Sequence, residues 1–529
     1  MGQLSVLMPA PVVTPIKERR VAGKIFFLIS LVLIFGAFSV GRKMNVDENV
    51  FVASAALLSR HFVLLYRDYH YNHMPTLVIL DALLFRMTGY ILLAARSVSA
   101  VCAAGTATVV FCFAYDAAKT REPRTRFWFA MGMGILMLAN PTFTRTAGRA
   151  WNHDFPMLMS LLGFLAMRRG LCSESVFWTL ISGALVGLAV TARLTFATEL
   201  LPFCLYPLIF PHLRGARRAV LLSAFAAGGI IASLPSIWAW AQAPVNAYFG
   251  NFQYPAFNTV WHRLNGGLGS QAYTLPAKLW FYLFNYCLEL PGNGIVLVLF
   301  LILCWANLRP RRAFRDEQQC LLIILVLLAL SQLAGGMAPA PSYFQYFYAA
   351  TPFMILAIAQ CLAKVPGLGN DPGLHWILFG CLALTVGFAI PEYRALPRLF
   401  SPPSWFPVQV HEIGLKVAER TAGPVLTIDP IYALEGGVDI YPAMATGPFG
   451  LRVGDLLSPA LRVQYRMWGT SDIVRLFDEH PPAAVLSSGG DDAGSEDLFI
   501  RLAQAHGYHA EQISPVSAKG TPVRLWLPP

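Results

Sequence analysis

The sequence predicts an all-α polytopic membrane domain of about eleven transmembrane helices followed by a soluble α/β domain, and three observations carry that prediction. Of the 529 residues 56% are hydrophobic and only 13% charged, too few charges to cover a water-soluble globule of this length. Apolar runs of roughly 17 to 25 residues recur, long enough at ~1.5 Å per residue to cross a hydrocarbon core of ~30 Å. From about residue 392 the pattern changes to short apolar strands alternating with amphipathic helical stretches. Inside lipid each segment must satisfy its own backbone N–H and C=O groups, so the apolar runs read as helices.

Taken in order, residues 1–22 form a cytoplasmic tail with Lys17, Arg19 and Arg20, and Lys24 opens the next segment. The run 23–40 ends without a small-residue cleavage site and reads as a retained first span. Residues 41–90 form an outer loop. Within it 75–88 is apolar but short and carries Asp81 and Arg86, which predicts a helix lying along the interface. Spans follow at 91–117, 127–143, 155–167, 175–195, 196–210, 219–240, 292–308, 319–337, 343–362 and 374–390.

This order puts the basic connectors on one side: Lys119, Arg121, Arg124 and Arg126; Arg168 and Arg169; Arg214, Arg217 and Arg218; and Arg309, Arg311, Arg312 and Arg315. Counting 75–88 as a crossing would put them on alternating sides. The membrane unit is thus 23–391, with 392–529 as an extracytoplasmic domain. There PVLTID, AAVLSSG and VRLWL read as strands, and 408–421, 471–480 and 496–506 as helices, the second capped by Thr470 or Ser471.

The net charge of +11 resides in those short connectors and forms no basic domain, which argues against a nucleic-acid partner and for the lipid bilayer. The nine cysteines lie mostly in apolar segments, with no CxxC pair and none after Cys381, so neither a zinc knuckle nor a disulfide framework is expected. His70 and His73 stand three apart, but without a third ligand they predict no metal site. No cofactor is expected.

On this topology Asp47, Glu48, His70, His73, Arg96, Arg149, His153, Asp154, Arg193, Glu199, Lys278 and Glu289 fall at the outer ends of spans or in outer loops. Ionisable groups are costly near hydrocarbon and tend to mark function. A transporter or flippase of lipid-linked glycans is the competing reading. It would carry ionisable groups at mid-depth, whereas these converge on one leaflet, so chemistry at the outer surface is favoured. The run Tyr343, Phe344, Tyr346, Phe347 and Tyr348 reads as an interfacial aromatic belt. Trp261, His262 and Arg263 fit either acceptor contact or loop packing.

The pieces VDENVF, NHMPTLVILDALLFRMTG, RSVSAV, RAWNHDFPMLMSLLGFLAMRR, GLAVTARLTF and QYFYAATPFMILAIA occur in an order that resembles GT-C glycosyltransferases. The likeness is greatest to the protein O-mannosyltransferase and lipid A aminoarabinose transferase branch and covers roughly 20–390. Family members often have two prolines where this chain has Met74 and Pro75, and a Lys where it has Arg193.

The resemblance implies an inverting transfer of a hexosyl or pentosyl group from a polyprenyl-phosphate donor to a glycan, lipid or protein acceptor at the outer face of the plasma membrane. It implies Asp47 and Asp154 as catalytic residues, with Glu48, His73, Arg96, Arg149, His153 and Arg193 binding substrate. The chemistry is coherent: Asp47 accepts a proton, and a leaving phosphate needs positive charge rather than a general acid.

Overall fold

A computed structural model of the chain describes residues 15–265, 273–310, 315–365, 372–489, 494–515, 517 and 520–529. Arg311 and Arg312 lie outside the described residues, as does most of the tail 1–22.

Among the described residues seven helices are long and apolar enough to cross a membrane: Glu18–Ser39, Ile91–Ala117, Asp154–Cys172, Gly215–Ala241, Glu317–Met337, Phe344–Leu362 and Pro372–Tyr393. The remaining expected spans fall on Pro123–Leu138, Val176–Ala192 and Leu194–Ile209, and on Pro291–Asn307, which meets Leu275–Leu288 at a bend of 109°. Local chemistry sets many of these starts. Ser175 and Asp316 cap with their side chains, and Pro123 and Pro291 stand in first turns, where a missing N–H costs nothing. The helix Thr76–Phe85, ten residues and so about 15 Å long, is too short to cross.

Pairing at one end of the bundle gathers the basic connectors. Arg19 meets Asp116 at 3.2 Å, Arg121 donates to the Val365 carbonyl at 2.6 Å, and Arg217 approaches Glu174 at 3.6 Å. At the other end Arg42 pairs with Glu392 at 2.9 Å and donates to the Arg145 carbonyl at 3.2 Å.

Helices Val176–Ala192 and Gly215–Ala241 pack through glycine. A Cβ on Gly183 would lie 1.8 Å from the Phe225 carbonyl oxygen, and one on Gly228 would lie 2.0 Å from that of Leu180. Only glycine allows this backbone approach, the means by which helices gain van der Waals contact in lipid.

The C-terminal region holds a mixed sheet of β1 (Val425–Leu426), β2 (Ala484–Ser487), β3 (His509–Ser514) and β4 (Val523–Leu527), in the order β1-β2-β4-β3. β1 and β2 run parallel, and β4 is antiparallel to both β2 and β3. The sequence reading omits β3, whose HAEQIS is mostly polar because it pairs only with β4 at the sheet edge. The helices form at Phe406–Ala418, Thr470–Glu479 and Ser495–Ala505. The second is capped differently from expectation: Asp472 reaches back to the Gly469 N–H at 2.9 Å, while Thr470 donates its hydroxyl to Asp455.

The C-terminal region builds a hydrophobic cluster of its own, with Leu426, Ile473, Phe477, Val485 and Phe499, and also packs on the outer loop. Val50, Phe51, Leu77 and Val78 of the outer loop share one hydrophobic cluster with Val410, Ile413, Tyr432 and Leu434. Asn49 Nδ2 donates to Asp429 Oδ1 at 2.8 Å, and the Leu92 N–H donates to Glu435 at 2.8 Å.

Gly183→Val should separate the two glycine-packed helices and lower stability by about 1–3 kcal/mol or more. Thermal unfolding in detergent checks this, with Gly132→Val, whose added Cβ meets nothing within 4 Å, as a near-neutral control.

Candidate active site

The site is organised by the first turn of the helix Val46–His61. Asn45 caps it, accepting from the Asp47 N–H at 3.0 Å, while Glu48 accepts from the Asn45 N–H at 2.8 Å. With the turn fixed in this way, Glu48 points inward and its neighbour Asp47 points elsewhere.

Glu48 and Arg96 are both 0% exposed and meet in a two-pronged pair, Nε to Oε1 at 2.8 Å and the terminal nitrogen to Oε2 at 2.7 Å. The other guanidinium donors reach the carbonyls of Ser39 and Arg42 at 2.8 Å and of Lys43 at 3.3 Å. All five N–H groups of Arg96 are therefore engaged by the protein. The sequence reading had Glu48 and Arg96 binding substrate; the structure turns them toward each other, with no donor of Arg96 left over. Burial pushes the Glu48 carboxyl upward, but the charge and hydrogen bonds of Arg96 outweigh it and hold the group below the ordinary carboxylate value.

Glu48 also accepts the Ala150 N–H at 2.9 Å, and Asp154, 1% exposed, accepts the Gly148 N–H at 3.0 Å and the Tyr348 hydroxyl at 3.2 Å. Two buried carboxylates thus clamp the turn Gly148–Arg149–Ala150 from either side. Gly148 has φ +73°, and a Cβ there would lie 2.6 Å from Ser39 Oγ, so the turn requires glycine. Arg149 sits at its tip, 5.0 Å over the Trp151 ring.

Asp47 differs from both of these acids. It is half-buried, and its carboxylate makes no hydrogen bond or ion pair with any described residue. Burial raises its pKa, opposed by the charges of Arg452, Arg193 and Arg149. Arg193 follows the end of Val176–Ala192 in extended backbone (φ −151°, ψ 114°), which turns its side chain back over the Tyr346 ring at 4.8 Å. It donates to Asn152 Oδ1 at 2.7 Å and to Thr195 Oγ1 at 3.1 Å, with His153 Nε2 at 3.3 Å. The His153 and Tyr346 rings stack at 6.4 Å. Burial, with Arg193 adding to it, holds His73 down to about 3 and His153 well below its usual value, so both are neutral near pH 7. His70 packs between Phe249 and Tyr254.

The structure therefore gathers Asp47, His73, Arg149, His153 and Arg193 at one end of the bundle, with Asp154 behind the turn. It adds two residues that sequence reasoning missed. Tyr346 was read as part of an interfacial belt; its place in QYFYAATPF, one of the pieces that carry the GT-C resemblance, was the available signal. Arg452 comes from the C-terminal region and rests 4.9 Å over Trp261 and 4.3 Å over Phe449, and nothing in its local sequence sets it apart. His262 meets the Tyr343 hydroxyl at 3.2 Å.

Compared with solved structures, the chain aligns with ArnT from Cupriavidus metallidurans in the apo state at TM-score 0.60 and 12% identity, over 95% of this chain and 97% of that one. The same protein bound to undecaprenyl phosphate aligns at TM-score 0.59 and 13% identity over the same shares. The chain has the GT-C fold. The oligosaccharyltransferase of Archaeoglobus fulgidus tethered with an acceptor peptide aligns at TM-score 0.49 and 12% identity, over 96% of this chain and 73% of its own. No protein-family model and no curated protein matches the sequence. The GT-C likeness runs through the C-terminal region as well, beyond the 20–390 that the motifs cover.

Glu48→Gln should leave the buried Arg96 charge unpaired and cost about 3–5 kcal/mol. Because the folded pKa of Glu48 lies below its unfolded value of about 4.3, the pair's contribution is present above that pH and is lost as pH falls through the depressed value. Unfolding midpoints of wild type and variant should therefore differ most near neutrality and converge in acid.

Proposed function

We propose that the protein is a membrane-embedded glycosyltransferase that moves a sugar from a polyprenyl-phosphate donor to an acceptor at the extracytoplasmic face of the plasma membrane, with inversion. The observation that carries this reading is Asp47: at a helix start on a GT-C scaffold, its carboxylate makes no hydrogen bond or ion pair among the described residues, and the charges of Arg452, Arg193 and Arg149 act on it. ArnT, whose fold the chain shares, is described bound to undecaprenyl phosphate. The basic connectors gathered at the opposite end support the sidedness, since such clusters face the cytoplasm.

In the proposed reaction an acceptor hydroxyl oxygen attacks the anomeric carbon from the face opposite the phosphate. The new C–O bond forms as the bond to the phosphate oxygen breaks. The hydroxyl proton passes to Asp47, and the electron pair leaves with the polyprenyl phosphate. The raised pKa makes Asp47 a stronger base than a solvated aspartate. Arg193, braced by Asn152, Thr195 and Tyr346, holds the leaving phosphate, and its planar fork suits two phosphate oxygens. Neutral His73 and His153 donate or accept hydrogen bonds without competing for that anion. Arg149 stabilises charge between the two reacting groups, while Asp154, Glu48 and Arg96 act by positioning it.

Asp47→Asn should lower transfer from a polyprenyl-phosphate sugar by about 10²–10⁴-fold with an unchanged unfolding midpoint. Mass spectrometry of released lipid phosphate checks it, and full turnover in the variant would remove Asp47 as base. Wild-type activity should fall on acidification through a pKa above the ordinary aspartate value of about 3.9. Arg193→Ala should cost about 10²–10³-fold, with partial retention in Arg193→Lys.

A further inference from the structure

A polar contact outside the reacting centre joins the C-terminal region to the helix bearing Asp47. Asn49, two residues after Asp47 and 0% exposed, donates from Nδ2 to Asp429 Oδ1 at 2.8 Å. Asp429 is itself buried, and its other oxygen accepts the hydroxyl of the buried Ser488. Asp429 and Ser488 stand just past the carboxyl ends of β1 and β2, the two parallel strands of the sheet. In open α/β sheets that crevice takes a ligand. Here a side chain of the outer loop occupies it.

The acceptor is firmly held. Ser488 donates its N–H to Glu496 at 2.6 Å, and its carbonyl accepts the Thr521 hydroxyl at 2.7 Å. The Asp429 N–H is met by Thr427 Oγ1 at 3.1 Å. Gly447 turns over the contact with φ +59°, where a Cβ would lie 2.8 Å from the Ile428 carbonyl oxygen and 3.4 Å from Asn49 Cβ. Asn49 Oδ1, by contrast, is buried with no hydrogen-bond partner among the described residues. An unmet buried oxygen is destabilising, and an apolar side chain would join the cluster of Val50 and Ile431 without that cost. What the amide adds is direction, which an apolar contact lacks.

Direction matters because of where Asn49 stands. Successive side chains on a helix point about 100° apart, so Asp47, Glu48 and Asn49 face three different ways. Glu48 is tied to Arg96 and to the Ala150 N–H, and Asn49 to Asp429. With two of the three directions fixed, the helix Val46–His61 cannot roll, and Asp47 is held in the third. The chain that passes Gly447 then enters the short helix Phe449–Arg452, whose Arg452 charge acts on Asp47.

We propose that Asp429 is a positioning residue for transfer: through Asn49 it sets the roll of the helix Val46–His61, and with it the direction in which the Asp47 carboxylate meets the acceptor hydroxyl. The catalytic consequence rests on Asp47 being the base, whereas the fixed roll rests on the contacts alone.

Asn49→Asp in the full-length protein sets two carboxylates face to face. Turnover of a polyprenyl-phosphate sugar should fall by about 10–10²-fold, the effect of displacing a reacting group by ~1 Å, while affinity for undecaprenyl phosphate stays within about twofold. Asn49→Ala removes the donor without adding charge and carries the same expectation should Asn49→Asp fail to fold. Combining Asn49→Asp with Asp429→Asn exchanges donor and acceptor, and turnover should return to within about threefold of wild type. A readout that needs no turnover comes from Asp47→Cys in a background where the exposed Cys172 and Cys204 are replaced by Ser. Its rate of labelling by a water-soluble maleimide should change by at least about threefold when Asn49→Asp or Asn49→Ala is added, and return with the exchange, since thiol reactivity follows exposure. Unchanged labelling overturns the proposal. So does a loss of turnover matched by an equal loss of donor affinity, or one that the exchange does not restore, because either makes the contact merely structural. Labelling that changes and is restored, in a protein that transfers sugar from no donor, sinks the enzyme and leaves Asp429 setting the direction of residue 47. Unchanged labelling in an active enzyme does the reverse.

Discussion

The pair between Glu48 and Arg96 is the constraint on which the arrangement depends. Both groups are withdrawn from water, so their attraction must offset a desolvation cost of several kcal/mol per ion. It does so because every lone pair and N–H that matters is met. Arg96, on the helix Ile91–Ala117, holds three carbonyls at the end of the first span, and Glu48 holds the N–H of Ala150. Three stretches distant in sequence, around 39–48, 96 and 150, are thereby fixed to one point. A hydrophobic pair of equal volume could hold them together but could not set their orientation.

The pair also separates the roles of two adjacent acids. Along a helix, neighbouring side chains point about 100° apart, so committing Glu48 inward leaves Asp47 facing the other guanidiniums. Asp154 repeats the device from the far side, fixing Gly148 as Glu48 fixes Ala150. Arg149 is held by its backbone neighbours and keeps its side chain for electrostatics. The C-terminal region completes the enclosure: it shares a core with the outer loop and brings Arg452 toward Asp47. It is thus a wall of the site rather than an appendage.

Legibility followed the range of the physics. The apolar runs and the shortness of 75–88 depend on residues a few positions apart, and they were readable. Asp47, Arg149, His153 and Arg193 were readable as ionisable groups stranded at the ends of apolar segments. Their partners were not. Which of Asp47 and Glu48 is free depends on Arg96, and whether Arg96 has a spare donor depends on carbonyls at Ser39, Arg42 and Lys43, which no pattern displays. Tyr346 looked like one ring of a belt, and β3 was obscured by its polar, edge-strand composition.

The sequence by itself determined that this chain enters a membrane and where its helices lie, and it predicted that the ionisable residues collect toward one leaflet. Those outcomes follow from hydrophobicity and from the cost of charge in hydrocarbon, both additive along the chain. Tertiary structure alone decided which acids and guanidiniums engage one another, and that residues beyond 392 pack onto 44–95. Pairing and burial depend on distance in space, and a linear sequence of residues contains no such distances.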